Sequence, residues 1–141
     1  MDIERIKNQL KSDEGYSRFV YQDTRGYWTI GYGLCVQEGI GEGMSELVAD
    51  YALTMSVNMR IESIRKSIDF FDTLPPDAQF VLANMSYKLG VPGLCEFHQF
   101  LSDLKTGQYA VASVDMLKSL WARQTPDRAQ RLSNIVKAIK S

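Results

Sequence analysis

The stretch Asp13-Glu-Gly-Tyr-Ser-Arg-Phe-Val-Tyr-Gln-Asp-Thr-Arg-Gly-Tyr-Trp-Thr-Ile-Gly-Tyr-Gly33 decides how this 141-residue chain is read. Upstream of it, Ile3, Ile6 and Leu10 recur at helical spacing between charged residues, and Gly15 supplies a stop. Residues 17–22 read as a strand. Asp23-Thr-Arg-Gly26 is a turn, with Asp at its first position and Gly at its last. Tyr27-Trp-Thr-Ile30 is then the returning strand of a hairpin. In that strand Tyr27, Thr29 and Gly31 share one face, and Trp28, Ile30 and Tyr32 share the other.

Working outward, glycines 31, 33, 39, 41 and 43 mark a segment with no helical period. It reads as the irregular remainder of a small β lobe. Neither the spacing nor a following Lys-Ser/Thr makes it a phosphate loop. From Ser45, a fair N-cap, the texture is helical to the end. Leu47, Tyr51, Met55 and Met59, with Ile61 through Ile68, predict a long helix. Leu74-Pro-Pro-Asp77 breaks it, and Pro76 suits the first turn of the next helix. That helix carries Val81, Leu82, Met85 and Leu89 and ends near Gly90, before a loop at Pro92-Gly93. A short helix over 97–104 follows, then one defined by Val111, Val114, Leu117 and Trp121. The last opens at Thr125-Pro126, an N-cap and proline pair, with Ala129, Leu132, Val136 and Ile139 as its buried stripe. A strand pair early and five or six helices late predict an α+β fold, not a parallel α/β sheet.

The composition is that of an ordinary globular chain, 45% hydrophobic and 23% charged, with a formal net charge of −1. Charge is uneven, because residues 118–141 carry a net +5. That tail is either a solvated basic helix face or a polyanion-binding surface. No nucleic-acid recognition motif accompanies it, so nucleic acid is not expected as a partner. Cys35 and Cys95 are far apart and lack metal-ligand spacing, which predicts free thiols. His98 is the sole histidine, too few for a zinc site of the usual kind. The amphipathic start has no apolar signal core, so neither a secretion segment nor a membrane partner is expected.

Four residues invite a chemical reading, each beside a plainer one. Glu14 falls at the end of the first helix, where the backbone's partial negative charge disfavours an anion and favours a proton donor. It also reads as a solvated glutamate beside Asp13. Asp23 is a favoured first residue of a turn, Thr29 a strand threonine facing either a cleft or the core, and Arg128 either surface or a partner for a carboxylate. Taken together, two carboxylates on different elements are the minimum equipment for hydrolysing a glycosidic bond.

The Glu14–Asp23–Thr29 spacing, the run Tyr21 to Gly33 and the closing Trp121-Ala-Arg-Gln-Thr-Pro-Asp-Arg-Ala-Gln-Arg131 resemble the phage-type lysozymes, from end to end of the chain. The resemblance implies a lysozyme-like α+β fold. It would be a single lysozyme domain over 1–141, with a β lobe at about 15–44, a helical lobe of 1–14 plus 45–141, and the active site in the cleft between them. It implies an inverting muramidase that needs no cofactor or metal and acts as a monomer on peptidoglycan glycan strands. Glu14 would be the acid, Asp23 would orient or activate the water, and Thr29 would line that water's other side. Arg128 would pair with Glu14, and Tyr87 would border the sugars, with Tyr32 as a further substrate-binding residue. The protein would stay in the bacterial host cytoplasm until a holin opens the way to the periplasmic wall. The rival reading is a catalytically inactive wall-binding or phage-assembly module, against which the intact Glu14–Asp23–Thr29 set argues. Leu34 departs from the resemblance by replacing a supporting histidine. Lys88 and Asp115 stand where some relatives have amides, and Phe100 where one has serine.

Overall fold

The structure, a computed structural model, describes residues 1–41 and 43–140. It divides into two compact units, Met1–Leu53 and Thr54–Ser141. The α+β expectation holds: seven α-helices and one small antiparallel sheet lie among the described residues.

In the first unit, α1 (Ile3–Glu14) is set at both ends by local chemistry. Asp2 caps its start, its Oδ1 accepting the Arg5 amide at 3.0 Å. Gly15 closes it at φ 70°, donating its N–H to the Lys11 carbonyl. The chain then runs through β1 (Ser17–Gln22), β2 (Trp28–Gly31) and β3 (Leu34–Cys35), paired in the order β1-β2-β3. Tyr21 faces Thr29 and Gln22 faces Trp28, while the register shifts between Ser17 and Tyr21, so β1 bends at that irregularity. Thr29 opposes Cys35 and Ile30 opposes Leu34. The third strand was not expected. At two residues between glycine turns it is too short to show a period of two.

Helix α2 (Glu46–Ser67) begins as expected at Ser45, whose Oγ accepts the Val48 amide at 3.2 Å. The boundary between the units falls within it. Of its hydrophobic positions, Ile64 enters the core, whereas Leu47, Tyr51, Met55 and Met59 stay exposed.

The second unit is built on α3 (Pro76–Cys95), whose Val81, Leu82 and Met85 are fully buried. The expected stop at Gly90 is present, as a break between two helical segments that together make up α3. Gly90 takes φ 71° and ψ 164°, and the helix resumes through the expected Pro92-Gly93 loop. Proline fits there because it lies in the first turn after the break, where a missing N–H removes no helical bond. Helix α4 (His98–Lys105) follows. The single helix expected from Val111 to Trp121 is broken into α5 (Tyr109–Asp115), a 3-10 turn and α6 (Leu120–Gln124). The Ser119 hydroxyl causes the restart by accepting the Ala122 amide at 3.1 Å.

Helix α7 (Pro126–Lys137) starts with proline at its first position, as expected. Thr125 does not cap it through its side chain; its hydroxyl donates back to the Trp121 carbonyl at 2.9 Å. Ala129, Leu132 and Val136 bury their stripe against α3 and α5. No helix among the described residues is long and apolar enough to cross a membrane.

Candidate active site

Glu14 is the last residue of α1, and the positive φ of Gly15 turns the chain sharply away from it. The glutamate is exposed at the rim of an open pocket of about 290 Å³, lined by Glu14, Gly15, Tyr16, Ser17 and Tyr21. Tyr32 joins this neighbourhood through Tyr16: the two rings lie 5.5 Å apart at 51°, and the Lys11 ammonium sits 5.6 Å from the Tyr32 ring centre. Tyr16, 68% exposed, was missed by the sequence reading. Its only signal is an aromatic ring placed directly after a helix stop.

Asp23 spends one of its two carboxylate oxygens on the fold. Oδ1 accepts the amides of Arg25 and Tyr27, each at 2.9 Å, which closes the hairpin turn. Oδ2 makes no hydrogen bond among the described residues. The plain turn reading therefore accounts for Oδ1 and leaves Oδ2 available to the chemical one. Because two backbone amides fix Oδ1, the direction of Oδ2 is fixed as well.

Thr29 is buried, at 3% exposure, and its hydroxyl donates to the Tyr27 carbonyl at 2.9 Å. The same carbonyl accepts the Asp23 amide at 2.9 Å. The peptide groups of Tyr27 thus tie Asp23 and Thr29 into one rigid piece of the hairpin, a link that spacing alone did not reveal. With its proton committed to a carbonyl, the Thr29 oxygen keeps acceptor character only.

Arg128 and Tyr87 belong to the second unit. Arg128 is half-buried in the first turn of α7, where Nε donates to Asn84 Oδ1 at 2.7 Å and a terminal nitrogen donates to the Asn84 carbonyl at 3.0 Å. One residue of α3 thus fixes the guanidinium by two bonds, offsetting the unfavourable helix-start position. Tyr87 donates its hydroxyl to Ser56 Oγ at 3.1 Å, and Arg60 lies 4.9 Å from its ring centre. The rest of the basic tail, including Arg123, Arg131, Lys137 and Lys140, is exposed, in keeping with a solvated helix face.

Of the residues that depart from the resemblance, Leu34 lies in β3 of the first unit, and Lys88, Phe100 and Asp115 lie in the second. Asp115, Lys118, His98 and Phe100 help to line a pocket of about 390 Å³. Beside Asp115, Asp103 is buried. Its Oδ1 accepts the Gln99 amide at 2.9 Å, while Oδ2 has no hydrogen-bond partner among the described residues. Burial first, and the neighbouring Asp115 carboxyl second, push the Asp103 carboxyl above the usual range, with Gln99 pulling the other way. Lys88 lines a separate pocket with Trp121, whose buried indole N–H has no acceptor among the described residues.

A capped helix ending in a glutamate, a three-stranded meander holding Asp23 and Thr29, and a helical unit carrying Arg128 on Asn84 define an α+β protein of the lysozyme type. The family model for phage lysozyme matches residues 11–137, and the chain belongs to that family. Its activity is accordingly that of a lysozyme, with peptidoglycan as the substrate. Among its relatives, the probable T4-type lysozyme 1 of Dictyostelium discoideum is 28% identical over a 160-residue alignment covering 95% of this chain and 94% of that protein. The probable T4-type lysozyme 2 of the same organism is 24% identical over 94% of each. The pre-baseplate central spike protein Gp5 of Enterobacteria phage T4 is 26% identical over 93% of this chain, which spans only 27% of that protein.

Proposed function

We propose that the protein is an endolysin that hydrolyses the β-1,4 bond between N-acetylmuramic acid and N-acetylglucosamine by a single inverting displacement. Glu14 donates its proton to the leaving glycosidic oxygen. Water attacks the anomeric carbon from the opposite face and gives a proton to Asp23 Oδ2. Thr29, able only to accept, holds the water's second hydrogen, so that a lone pair of the water points at carbon. Inversion of this kind needs room for water between the carboxyl groups, about 6.5–9.5 Å. Arg128, held on Asn84, would stabilise the ionised Glu14 after proton transfer, and Tyr87 and Tyr32 would border the sugars.

The observation that carries this reading is the split carboxylate of Asp23, one oxygen locked by two amides and the other without a partner among the described residues. A turn aspartate alone would not require an acceptor-only threonine oxygen tied to the same Tyr27 carbonyl. Purified peptidoglycan tests the proposal. Wild type releases reducing ends of inverted configuration, while folded Glu14→Gln and Asp23→Asn release almost none. Intact glycan with wild type, or full activity in both variants, would falsify it.

The same proposal extends to biology: residence in the bacterial host cytoplasm, then holin-dependent access to the wall and host lysis by the monomeric enzyme. Two free thiols support a reducing compartment. A second reading, a wall-binding or assembly module, is favoured by the likeness to part of a central spike protein. Binding of peptidoglycan without bond cleavage would select it.

A further inference from the structure

The glycines of the β-lobe are not equivalent. Gly31, Gly33 and Gly39 all take positive φ, at 67°, 79° and 76°. A side chain at any of them is strained, since a Cβ crowds the neighbouring carbonyl in that conformation. At Gly31 and Gly39 a Cβ would meet nothing within 4 Å. At Gly33 it would lie 2.8 Å from Glu14 Oε2, 2.9 Å from its Cδ and 3.1 Å from its Cγ. Contacts that short fall well inside the ordinary carbon–carbon approach of about 3.5–4.0 Å. The turn between β2 and β3 therefore demands glycine twice, once for its own backbone and once for a side chain that starts on α1.

We infer that Gly33 is a positioning residue for Glu14: its bare Cα forms the seat on which the carboxyl rests. Glu14 itself is exposed and has no hydrogen bond to the protein among the described residues. The helix end fixes its Cα, but nothing polar fixes its χ angles. The flat surface of Gly33 then supplies the missing constraint, by letting the carboxyl approach closer than any other residue would permit. Because the far end of glutamate is flexible, a methyl group at position 33 would rotate the carboxyl away and leave the fold standing. That predicts damage to the reaction out of proportion to damage to stability. The inference rests on Glu14 being the proton donor.

The test compares Gly33→Ala with Gly31→Ala, which carries a similar backbone strain in open space. Initial rates are measured over a range of peptidoglycan concentrations and pH, with melting curves for each variant. Gly33→Ala is expected to lose about 100-fold in kcat, the scale of a misplaced catalytic group, with KM nearly unchanged and the alkaline limb of its pH profile displaced. Gly31→Ala keeps its rate within about threefold and its profile in place, although both melt lower, because it shares the strain and not the contact. Equal rates in the two variants, or an equal loss in both, overturn the positioning role. Glu14→Gln separates the layers. If wild type cleaves and Glu14→Gln does not, while Gly33→Ala matches Gly31→Ala, this inference fails and the muramidase reading stands. If Glu14→Gln stays fully active, the reading of Glu14 as donor fails first. Should Gly33→Ala not fold, the double variant Glu14→Ala/Gly33→Ala decides. It folds if the glutamate is what the methyl meets, and if it too is unfolded the turn alone is responsible and the inference is overturned.

Discussion

Replacing Asp103 by Asn should stabilise the protein at neutral pH, and the reason is local. Asp103 is 6% exposed, and one of its oxygens is buried without a donor among the described residues, beside a second carboxyl, that of Asp115. Asparagine keeps the Oδ1 that accepts the Gln99 amide at 2.9 Å and places an NH₂ donor where the unpartnered oxygen stood. Leaving a buried polar atom unsatisfied costs about 1–3 kcal/mol. Lys118, 3.4 Å from Asp115 Oδ1, relieves part of the repulsion, but it is 71% exposed and contributes little. The net gain for Asp103→Asn is therefore placed at about 1–2 kcal/mol, a rise in Tm of roughly 3–6 °C for a chain of this size.

The pH dependence gives the sharper test. The folded-state carboxyl of Asp103 is raised above its unfolded value, so the stability tied to its protonated form is fully present below the unfolded value, about 3.9. That stability is lost as pH rises through the raised folded value. In acid, protonated Asp103 is itself a donor to Asp115, and the advantage of asparagine should shrink towards zero. Calorimetric melts of both proteins at pH 7 and near pH 3 measure the difference directly. An Asp103→Asn variant no more stable than wild type at pH 7, or one whose advantage is the same at both pH values, refutes the reasoning.

Other outcomes follow from the same structure. Arg128→Ala removes two bonds to Asn84 and should cost about 1–3 kcal/mol in denaturant unfolding; an unchanged midpoint would show that the clamp contributes nothing. Ser45→Ala deletes the cap of α2 and should cost about 1 kcal/mol, read from the same titrations. Gly90→Ala forces a Cβ into the kink at φ 71° and should destabilise by more than about 1 kcal/mol; a neutral result would mean that α3 straightens without penalty.

Most of the fold was legible because the signals were local. Gly15, Ser45 and Pro76 act within one helical turn of themselves, and the first hairpin is written in residues 17–30. What escaped were decisions made by contacts distant in sequence or by single hydrogen bonds. The stop at Gly90 was legible in its residue type, but the helical segment beyond it was not, because that segment depends on Val91 and Leu94 packing into the core. The break after Asp115 depends on the hydroxyl of Ser119, which no hydrophobic period can show. Leu34–Cys35 is a strand because Thr29 and Ile30 lie opposite, not through any property of its own.

The site divides along the same line. Residue types and order pointed to Glu14, Asp23, Thr29 and Arg128, but each had an equally good structural explanation, and for Asp23, Thr29 and Arg128 the structure supplies that explanation in full while leaving room for the proposed chemistry. Asp23 is a turn residue through Oδ1, and that is what aims Oδ2. Thr29 is a buried strand residue, and the bond that satisfies its hydroxyl is what leaves its oxygen an acceptor. Arg128 is held by Asn84, so its cost at a helix start is met before any partner arrives. Glu14 alone lacks such a polar anchor, which is why its geometry falls to a glycine nineteen residues further on. A site assembled from structural side chains needs few residues given over to chemistry only, and for that reason composition and periodicity cannot expose it. What supports the proposed site is the oxygen of Asp23 that the fold leaves over among the described residues.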